Sequence, residues 1–292
     1  MQQESIPQPA GTGYVTSGDV RIHFRHFTSS APGHKAKLMP AVVVHGLSYF
    51  SYDWIDVATA LAQDRDVVAI DLRGFGESDW SPARDYSLRA MANDLIAVID
   101  HFGWTQAALV GHSMGGRICL CTAAWFPDRV GALMCLDFAP DVEAAGRKNV
   151  ALRIGNQPDF FASVEDALAY HGLHGEMPDS PAYQRFSAFL KSTDQGLSLK
   201  RDLHYRDNFR EVLRTGKSQP LDVDLWAMVE QLRMPAQVVR GSTSDMLSVA
   251  TLAKVAQINP RVGTLEIEGS HDLPGDNPEG LTLSIASFLA KI

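Results

Sequence analysis

The sequence predicts a doubly wound α/β fold, with a mostly parallel sheet and a helical insertion. In the first half of the chain, short continuous apolar runs alternate with amphipathic helical patterns. The same alternation returns towards the carboxyl end, after a long segment in which it is absent. These observations indicate a sheet built from two stretches of sequence, with one insertion between them.

Residues 19–27 alternate apolar and polar side chains, which is typical of a half-buried antiparallel strand at a sheet edge. A linker rich in Gly, Pro and Lys follows. The runs typical of strands buried on both faces then lie at 41–46, 66–71, 106–112 and 131–138. Helices are predicted between them at 51–63, 86–103 and 114–126, the last ending before Pro127.

After residue 138, polar helical stretches with aromatic residues and histidines replace the strand pattern until about residue 234. Strand patterns return at 235–241 and 262–269, and the predicted helices of this part lie at 248–257 and 278–290. We therefore predict a core domain formed by residues 1–138 and 235–292, and a helical cap formed by residues 139–234.

Composition excludes several classes of function. The formal charge of −8 and the lack of a basic stripe argue against a nucleic-acid partner, because such binding needs clustered Lys and Arg. The chain begins without the basic and apolar segments of a secretory signal, and no stretch is apolar enough for a membrane span. We expect a cytoplasmic protein that binds a small-molecule substrate and neither nucleic acid nor membrane.

A nucleophile motif, G-x-S-x-G, lies at Gly111-His112-Ser113-Met114-Gly115, between a predicted strand and a predicted helix. In such a turn a strained serine rises above the sheet, and glycines on either side let the strand and helix approach. The helix start also directs backbone N–H groups at developing negative charge. The motif alone also occurs in turns that only pack a helix on a sheet, so its position carries the argument.

Serine needs a base within hydrogen-bond reach and an acid that orients the base. His271 and Asp245 are the candidates, because each follows a predicted strand at the edge where α/β sheets place their ligands. Taken alone, each has the ordinary interpretation of a solvated loop residue. Their order, serine then aspartate then histidine, is the chain order of this type of triad.

Together these motifs resemble those of α/β-hydrolase fold enzymes, over nearly the whole chain. The similar segments are His45-Gly46, 71–78, 111–116, 240–245 and 269–271. The resemblance implies the α/β-hydrolase fold, a mostly parallel doubly wound sheet with a helical cap inserted after the sixth strand. It also implies an oxyanion hole formed by the backbone N–H groups of Leu47 and Met114, and it offers Asp137 as an alternative acid, which we weigh below Asp245.

The resemblance implies a serine esterase, and we expect it to cleave a carboxylic ester, lactone or thioester of a small, fairly apolar substrate through an acyl-enzyme. Carbon–carbon bond hydrolysis, perhydrolysis and acyl transfer use the same triad, and a non-catalytic receptor is an alternative of another class. We expect no cofactor, because Gly74-Phe75-Gly76 lacks the third glycine of a dinucleotide loop, and no histidine pair has metal-ligand spacing. The residues expected to line the substrate pocket are Tyr49, Phe50, Trp54, Phe138 and Trp226.

Overall fold

The computed structural model describes residues 9–30, 38–217 and 220–292; the predicted linker lies largely outside these ranges. The strands are β1 Gly11–Ser17, β2 Val20–Phe27, β3 Ala41–Val44, β4 Val67–Ile70, β5 Ala107–His112, β6 Val130–Leu136, β7 Leu190–Thr193, β8 Gly196–Leu199, β9 Ala236–Gly241 and β10 Val262–Ile267. A 3₁₀ turn at Ser51–Trp54 precedes the first α-helix. The helices are α1 Ile55–Leu61, α2 Leu88–His101, α3 Met114–Trp125, α4 Ala144–Gly155, α5 Val164–Tyr170, α6 Pro181–Phe189, α7 Leu203–Thr215, α8 Leu225–Gln231, α9 Val249–Ile258, α10 Leu273–Asp276 and α11 Pro278–Leu289.

Eight strands form one sheet in the order β1-β2-β4-β3-β5-β6-β9-β10. Strand β2 is antiparallel to β1 and β4, and all the other neighbours are parallel. The predicted α/β-hydrolase fold, with a mostly parallel sheet, is therefore confirmed. Strand β1 was not predicted, because its sequence GTGYVTS is glycine-rich and mostly exposed, which weakens the alternation of polarity.

The sheet has an apolar core on each face. In β3, Val42 and Val44 belong to the core that α2, α3, α8 and α9 cover, whereas Val43 belongs to the core covered by α1 and α11. Successive side chains of a strand point to opposite faces, so continuous apolar runs are required where both faces are covered. The parallel strands carry these runs.

In its described residues, the chain between β6 and β9 forms helices α4 to α8 and the antiparallel hairpin β7–β8, which was not predicted. This segment has its own apolar cluster, in which Phe161, Leu168, Phe186 and Phe189 pack with Phe50 from the loop after β3. Burial of Phe50 in this cluster attaches the segment to the loop that leads into the site.

The turn at 71–78 connects the sheet to this segment. The Asp71 carboxylate accepts hydrogen bonds from the backbone N–H groups of Ser51 and Glu77, at 2.6 and 3.0 Å. Gly76 has φ 54°, and a Cβ there would lie 2.3 Å from that carboxylate, so only glycine fits. The Gly76 N–H donates to the Lys200 carbonyl at 2.7 Å. The turn therefore has a structural role.

No helix in the described ranges is long and apolar enough to cross a membrane.

A buried ion pair next to this turn gives a test of the packing. Arg73 donates two hydrogen bonds of 2.7 Å to the Asp94 carboxylate, and both side chains are almost inaccessible to solvent. We expect Arg73→Met to lower the free energy of unfolding by about 3–5 kcal/mol, because it leaves a buried carboxylate unpaired. Urea denaturation of the variant and the wild type measures the loss.

Arg21→Met is the matched control, since the Arg21 side chain is largely exposed and the loss of its pair with Asp79 should cost much less stability. Equal losses in the two variants would contradict the assignment of Arg73 as the partner that the buried carboxylate requires.

Candidate active site

Ser113 lies in a strained turn between β5 and α3, with φ 53° and ψ −115°. Non-glycine residues seldom adopt positive φ, and such strain is typical of functional sites. The turn is possible because its neighbours have no side chains: a Cβ on Gly111 would lie 2.5 Å from the Gly115 carbonyl oxygen, and one on Gly115 would lie 2.3 Å from the Val44 carbonyl oxygen. The backbone of α3 is therefore packed directly against β3 and β5.

A continuous hydrogen-bonded chain links Ser113, His271 and Asp137. The Ser113 hydroxyl donates to His271 Nε2 at 2.9 Å, and His271 Nδ1–H donates to Asp137 Oδ2 at 2.6 Å. A carboxylate only accepts, so Nδ1 carries the proton and Nε2 is free to accept the serine proton. The geometry is that of an activated nucleophile, its base and an orienting acid.

The structure corrects the choice of acid. Asp245 does not contact His271; its carboxylate accepts a hydrogen bond of 2.8 Å from Nδ2 of Asn149 in α4. Asp137 follows β6 immediately, and β6 lies beside β5, which Ser113 follows, whereas Asp245 lies four residues beyond β9. Those four residues turn the Asp245 carboxylate towards α4.

Residues at the end of β9 and in the loop after it hold Asp137, and sequence reasoning missed them. The Gly241 N–H donates to Asp137 Oδ1 at 2.8 Å, and the Ser244 hydroxyl donates to Oδ2 at 2.6 Å. Asp137 is 2% exposed, so these donors and His271 replace the water that the carboxylate loses. Segment 240–245 therefore supplies hydrogen-bond donors to Asp137 and does not supply the acid. The serine just before Asp245 was the sequence signal that could have indicated such a donor.

The predicted oxyanion donors lie beside the nucleophile. Met114 is the first residue of α3, so its N–H has no carbonyl acceptor within its own helix. Leu47 follows Gly46, and a Cβ on Gly46 would lie 3.2 Å from Ser113 Cβ. The Gly46 carbonyl accepts a 2.7 Å hydrogen bond from Nδ1–H of buried His45, which fixes the peptide that carries the Leu47 N–H.

His112 holds the loop that carries His271. Its Nε2–H donates to the His271 carbonyl at 2.8 Å. Burial, reinforced by the nearby His271, lowers the pKa of His112 to about 4, so its ring is neutral at neutral pH. A neutral ring keeps one N–H for the His271 carbonyl, which makes His112 a positioning residue.

The residues expected to line the pocket divide into two groups. Tyr49 adjoins the site: its hydroxyl donates to the Asp272 carboxylate, next to His271, and its ring lies 5.2 Å from that of His112. Burial and the Asp272 charge raise the pKa of Tyr49 well above its ordinary value. Phe138 packs against Gly116 in the first turn of helix α3.

The other three have structural environments. Trp54 is fully buried among the apolar residues under α1 and α11, which corrects its assignment to the pocket. Phe50 stacks on Phe189, with ring centroids 4.6 Å apart. The Trp226 indole N–H donates to Asp141 at 2.9 Å, and the Lys254 ammonium lies over its ring. Aromatic character near a loop could not separate packing residues from pocket residues.

Among the described residues, no cluster of three or more His, Cys, Asp or Glu side chains could hold a metal ion.

The chain belongs to the α/β hydrolase fold family, which it matches over residues 40–276. It is 28% identical to 2-(acetamidomethylene)succinate hydrolase of Mesorhizobium japonicum over 249 residues, 84% of this chain and 86% of that protein. It is 31% identical to epoxide hydrolase 4 of Mus musculus over 302 residues, 95% of this chain and 79% of that protein. These relatives are named hydrolases, and this chain is a hydrolase.

Solved structures are similar to this chain over nearly its whole length. The crystal structure of E-2-(acetamidomethylene)succinate hydrolase has a TM-score of 0.78 at 26% identity, with 96% of this chain and 99% of that chain covered. An α/β hydrolase from Novosphingobium aromaticivorans has a TM-score of 0.76 at 27% identity, with 97% of this chain and 98% of that chain covered.

The two carboxylates can be tested against each other. We expect Asp137→Asn to lower kcat about 10⁴-fold, because an amide facing His271 Nδ1 favours the wrong tautomer of the base. Asp245→Asn should retain nearly full activity, since Asp245 contacts Asn149 instead. Steady-state ester hydrolysis by both purified variants compares them. A large loss only in Asp245→Asn would reverse the assignment.

The depressed pKa of His112 predicts a dependence of stability on pH. Between about pH 6.5 and about pH 4, the unfolded chain takes up a proton at this histidine that the folded chain does not. Stability contributed by neutral His112 is therefore lost as pH falls through this window, by up to about 3 kcal/mol. Urea denaturation at several pH values should show a smaller acid loss in His112→Gln. An unchanged pH slope would contradict the prediction.

Proposed function

We propose that this chain is a serine hydrolase that cleaves a carboxylic ester, lactone or thioester through an acyl-enzyme on Ser113. The observation that carries the proposal is the hydrogen-bonded chain from Ser113 through His271 to Asp137, at 2.9 and 2.6 Å. It joins a nucleophile to a base in the required tautomer, at a helix N-terminus that favours negative charge.

In the first half-reaction, His271 Nε2 takes the hydroxyl proton while Ser113 Oγ attacks the carbonyl carbon. The carbonyl π-electrons move to its oxygen, which the N–H groups of Leu47 and Met114 stabilise. The electrons return when the bond to the leaving oxygen or sulfur breaks, and His271 gives its proton to that group. Ser113 then carries the acyl group as an ester.

Water completes the cycle. His271 Nε2 takes a proton from water as the water oxygen attacks the acyl carbon, and the same donors hold the second oxyanion. Breaking the bond to Ser113 Oγ releases the carboxylic acid, and the proton on His271 restores the hydroxyl. Asp137 stays ionised throughout and stabilises the imidazolium.

The nucleophile residue favours acyl substrates. One similar protein is named epoxide hydrolase 4, and opening an epoxide on a carboxylate nucleophile would need aspartate where this chain has Ser113. Two other relatives are named 2-(acetamidomethylene)succinate hydrolase and N-formylmaleamate deformylase, and both names include an acyl group. Both the serine and these names support acyl transfer to water.

The test is hydrolysis of 4-nitrophenyl esters from acetate to octanoate by the wild type and by Ser113→Ala. We expect the variant to lose about 10⁴- to 10⁶-fold in kcat, because the nucleophile is absent. Ser192→Ala removes an exposed serine hydroxyl and serves as the control. Mass spectrometry should detect a fluorophosphonate adduct on Ser113 in the wild type.

Near-wild-type turnover by Ser113→Ala would contradict the mechanism. A fluorophosphonate adduct without ester turnover would direct attention to carbon–carbon bond hydrolysis or to acyl transfer to an acceptor other than water. Tight binding of a small molecule with neither adduct nor turnover would support a receptor instead.

A further inference from the structure

Three arginines of the segment between β6 and β9 converge around His171. They are Arg153 in α4, Arg185 in α6 and Arg201 after β8, and we call them the arginine cluster. Burial, reinforced by the positive charges of all three, lowers the pKa of His171 to about 4, so the ring between them is neutral. The cluster therefore contains three positive charges and a histidine that adds none.

The cluster contacts the loop that carries a proposed oxyanion donor. Arg185 Nη2 donates to the Ser48 carbonyl at 3.0 Å, and Arg153 Nη2 donates to the Ser48 hydroxyl at 3.3 Å. Ser48 directly follows Leu47. The Arg185 guanidinium also lies 5.6 Å from the ring centroid of Tyr49, whose hydroxyl is bonded to Asp272 beside His271. Arg153 and Arg185 thus contact the loop that follows Leu47, and the charge of Arg201 acts on the same His171 as theirs.

Only one of the three guanidiniums has a carboxylate partner among the described residues. Arg185 is paired with Asp53, at 2.5 and 3.1 Å. Arg153 has the Ser48 hydroxyl as its side-chain acceptor, and Arg201 has the amide oxygen of Gln157. Two positive charges in the cluster are therefore not neutralised within the described protein.

The burial of Arg201 makes this imbalance significant. The residue is only 6% exposed, and burial, with the nearby charges of Arg153 and Arg206, lowers its pKa to about 10. Arg206 is also a cation and is paired with Asp159 and Asp207, so it does not neutralise Arg201. A buried guanidinium without a counter-charge is costly, and a bound anion would remove that cost.

We propose that Arg153 and Arg201 bind a carboxylate of the substrate and thereby direct the acyl carbonyl of the same molecule to Ser113. This inference rests on the proposed acyl hydrolysis. The substrate class is a dicarboxylic acid derivative with one free carboxylate and one acyl carbonyl that is cleaved. This class differs from the small, fairly apolar substrate expected from the sequence, because a guanidinium pair selects for negative charge.

Two substrates of similar length test the proposal, mono-4-nitrophenyl succinate, which bears a carboxylate, and 4-nitrophenyl butyrate, which does not. We expect the wild type to have the higher kcat/KM for the succinate ester. Arg153→Gln and Arg201→Gln should each lower the ratio of succinate to butyrate kcat/KM about 10- to 100-fold, the range for losing a hydrogen bond to a charged group. Arg147→Gln removes an exposed arginine of the same helix and should leave the ratio unchanged.

Binding supplies a readout that does not depend on turnover. Calorimetric titration of Ser113→Ala with monomethyl succinate should show saturable binding, which dimethyl succinate lacks and which the additional change Arg153→Gln weakens. No binding, or equal binding of the two esters, would overturn the proposed carboxylate site. If inorganic phosphate competed with monomethyl succinate and bound equally well, the carboxylate site would also be overturned, in favour of a site for a phosphoryl ligand.

The two proposals fail differently. Ester hydrolysis that requires Ser113 but has no preference for the succinate ester, in the wild type or in the arginine variants, would remove the carboxylate site and leave the serine mechanism. Binding of monomethyl succinate that depends on Arg153, without hydrolysis of either ester, would support the site and contradict the serine esterase.

Discussion

The direct contact of the α3 backbone with β3 and β5 is the constraint on which the site depends. At Gly115 there is no room for even a methyl group between the helix and the Val44 carbonyl. A side chain there would push α3 away from the sheet and would move Ser113 and the Met114 N–H together. Because β3 continues into Gly46 and Leu47, the same contact also sets the position of the other proposed oxyanion donor.

Two buried histidines hold the loops beside Ser113 and His271. His45 donates a ring N–H to the Gly46 carbonyl, and His112 donates one to the His271 carbonyl. Burial lowers the pKa of both, which keeps each ring neutral and its hydrogen bond directed. Histidine therefore has two roles in this site. Beside Ser113 its imidazole can exchange protons, and in the core it fixes a loop through a single N–H donor.

The sequence was sufficient for the fold because the parallel strands are covered on both faces, which forces continuous apolar runs. It was weaker where burial is partial, as in the exposed strand β1 and the short hairpin β7–β8. The placement of Ser113 and His271 followed from chain order, since each follows the carboxyl end of a strand of the sheet. The acid could not be chosen from order alone, because Asp137 and Asp245 both follow strands, and only the path of the loop after β9 separates them.

Aromatic residues showed a similar limit. Trp54 and Tyr49 lie in one loop region, yet one is core and the other adjoins the catalytic residues. The residues around Trp54 and Tyr49 in the sequence do not differ in polarity. Which of the two enters the core therefore depends on the turn at Ser51. The arginine cluster could not be predicted from a periodic sequence pattern either, because its members come from distant positions, in α4, in α6 and after β8.

Strand β10 has a consequence for how the protein loses function. It is the terminal strand of the sheet, pairs with β9 only, and is largely exposed beyond Val262. Ser113 and Asp137 follow the interior strands β5 and β6, while His271 follows β10. Edge elements open more readily than interior ones. Fraying of this edge would separate His271 from Ser113 and Asp137 while the interior strands remained folded, so we expect loss of activity to precede global denaturation.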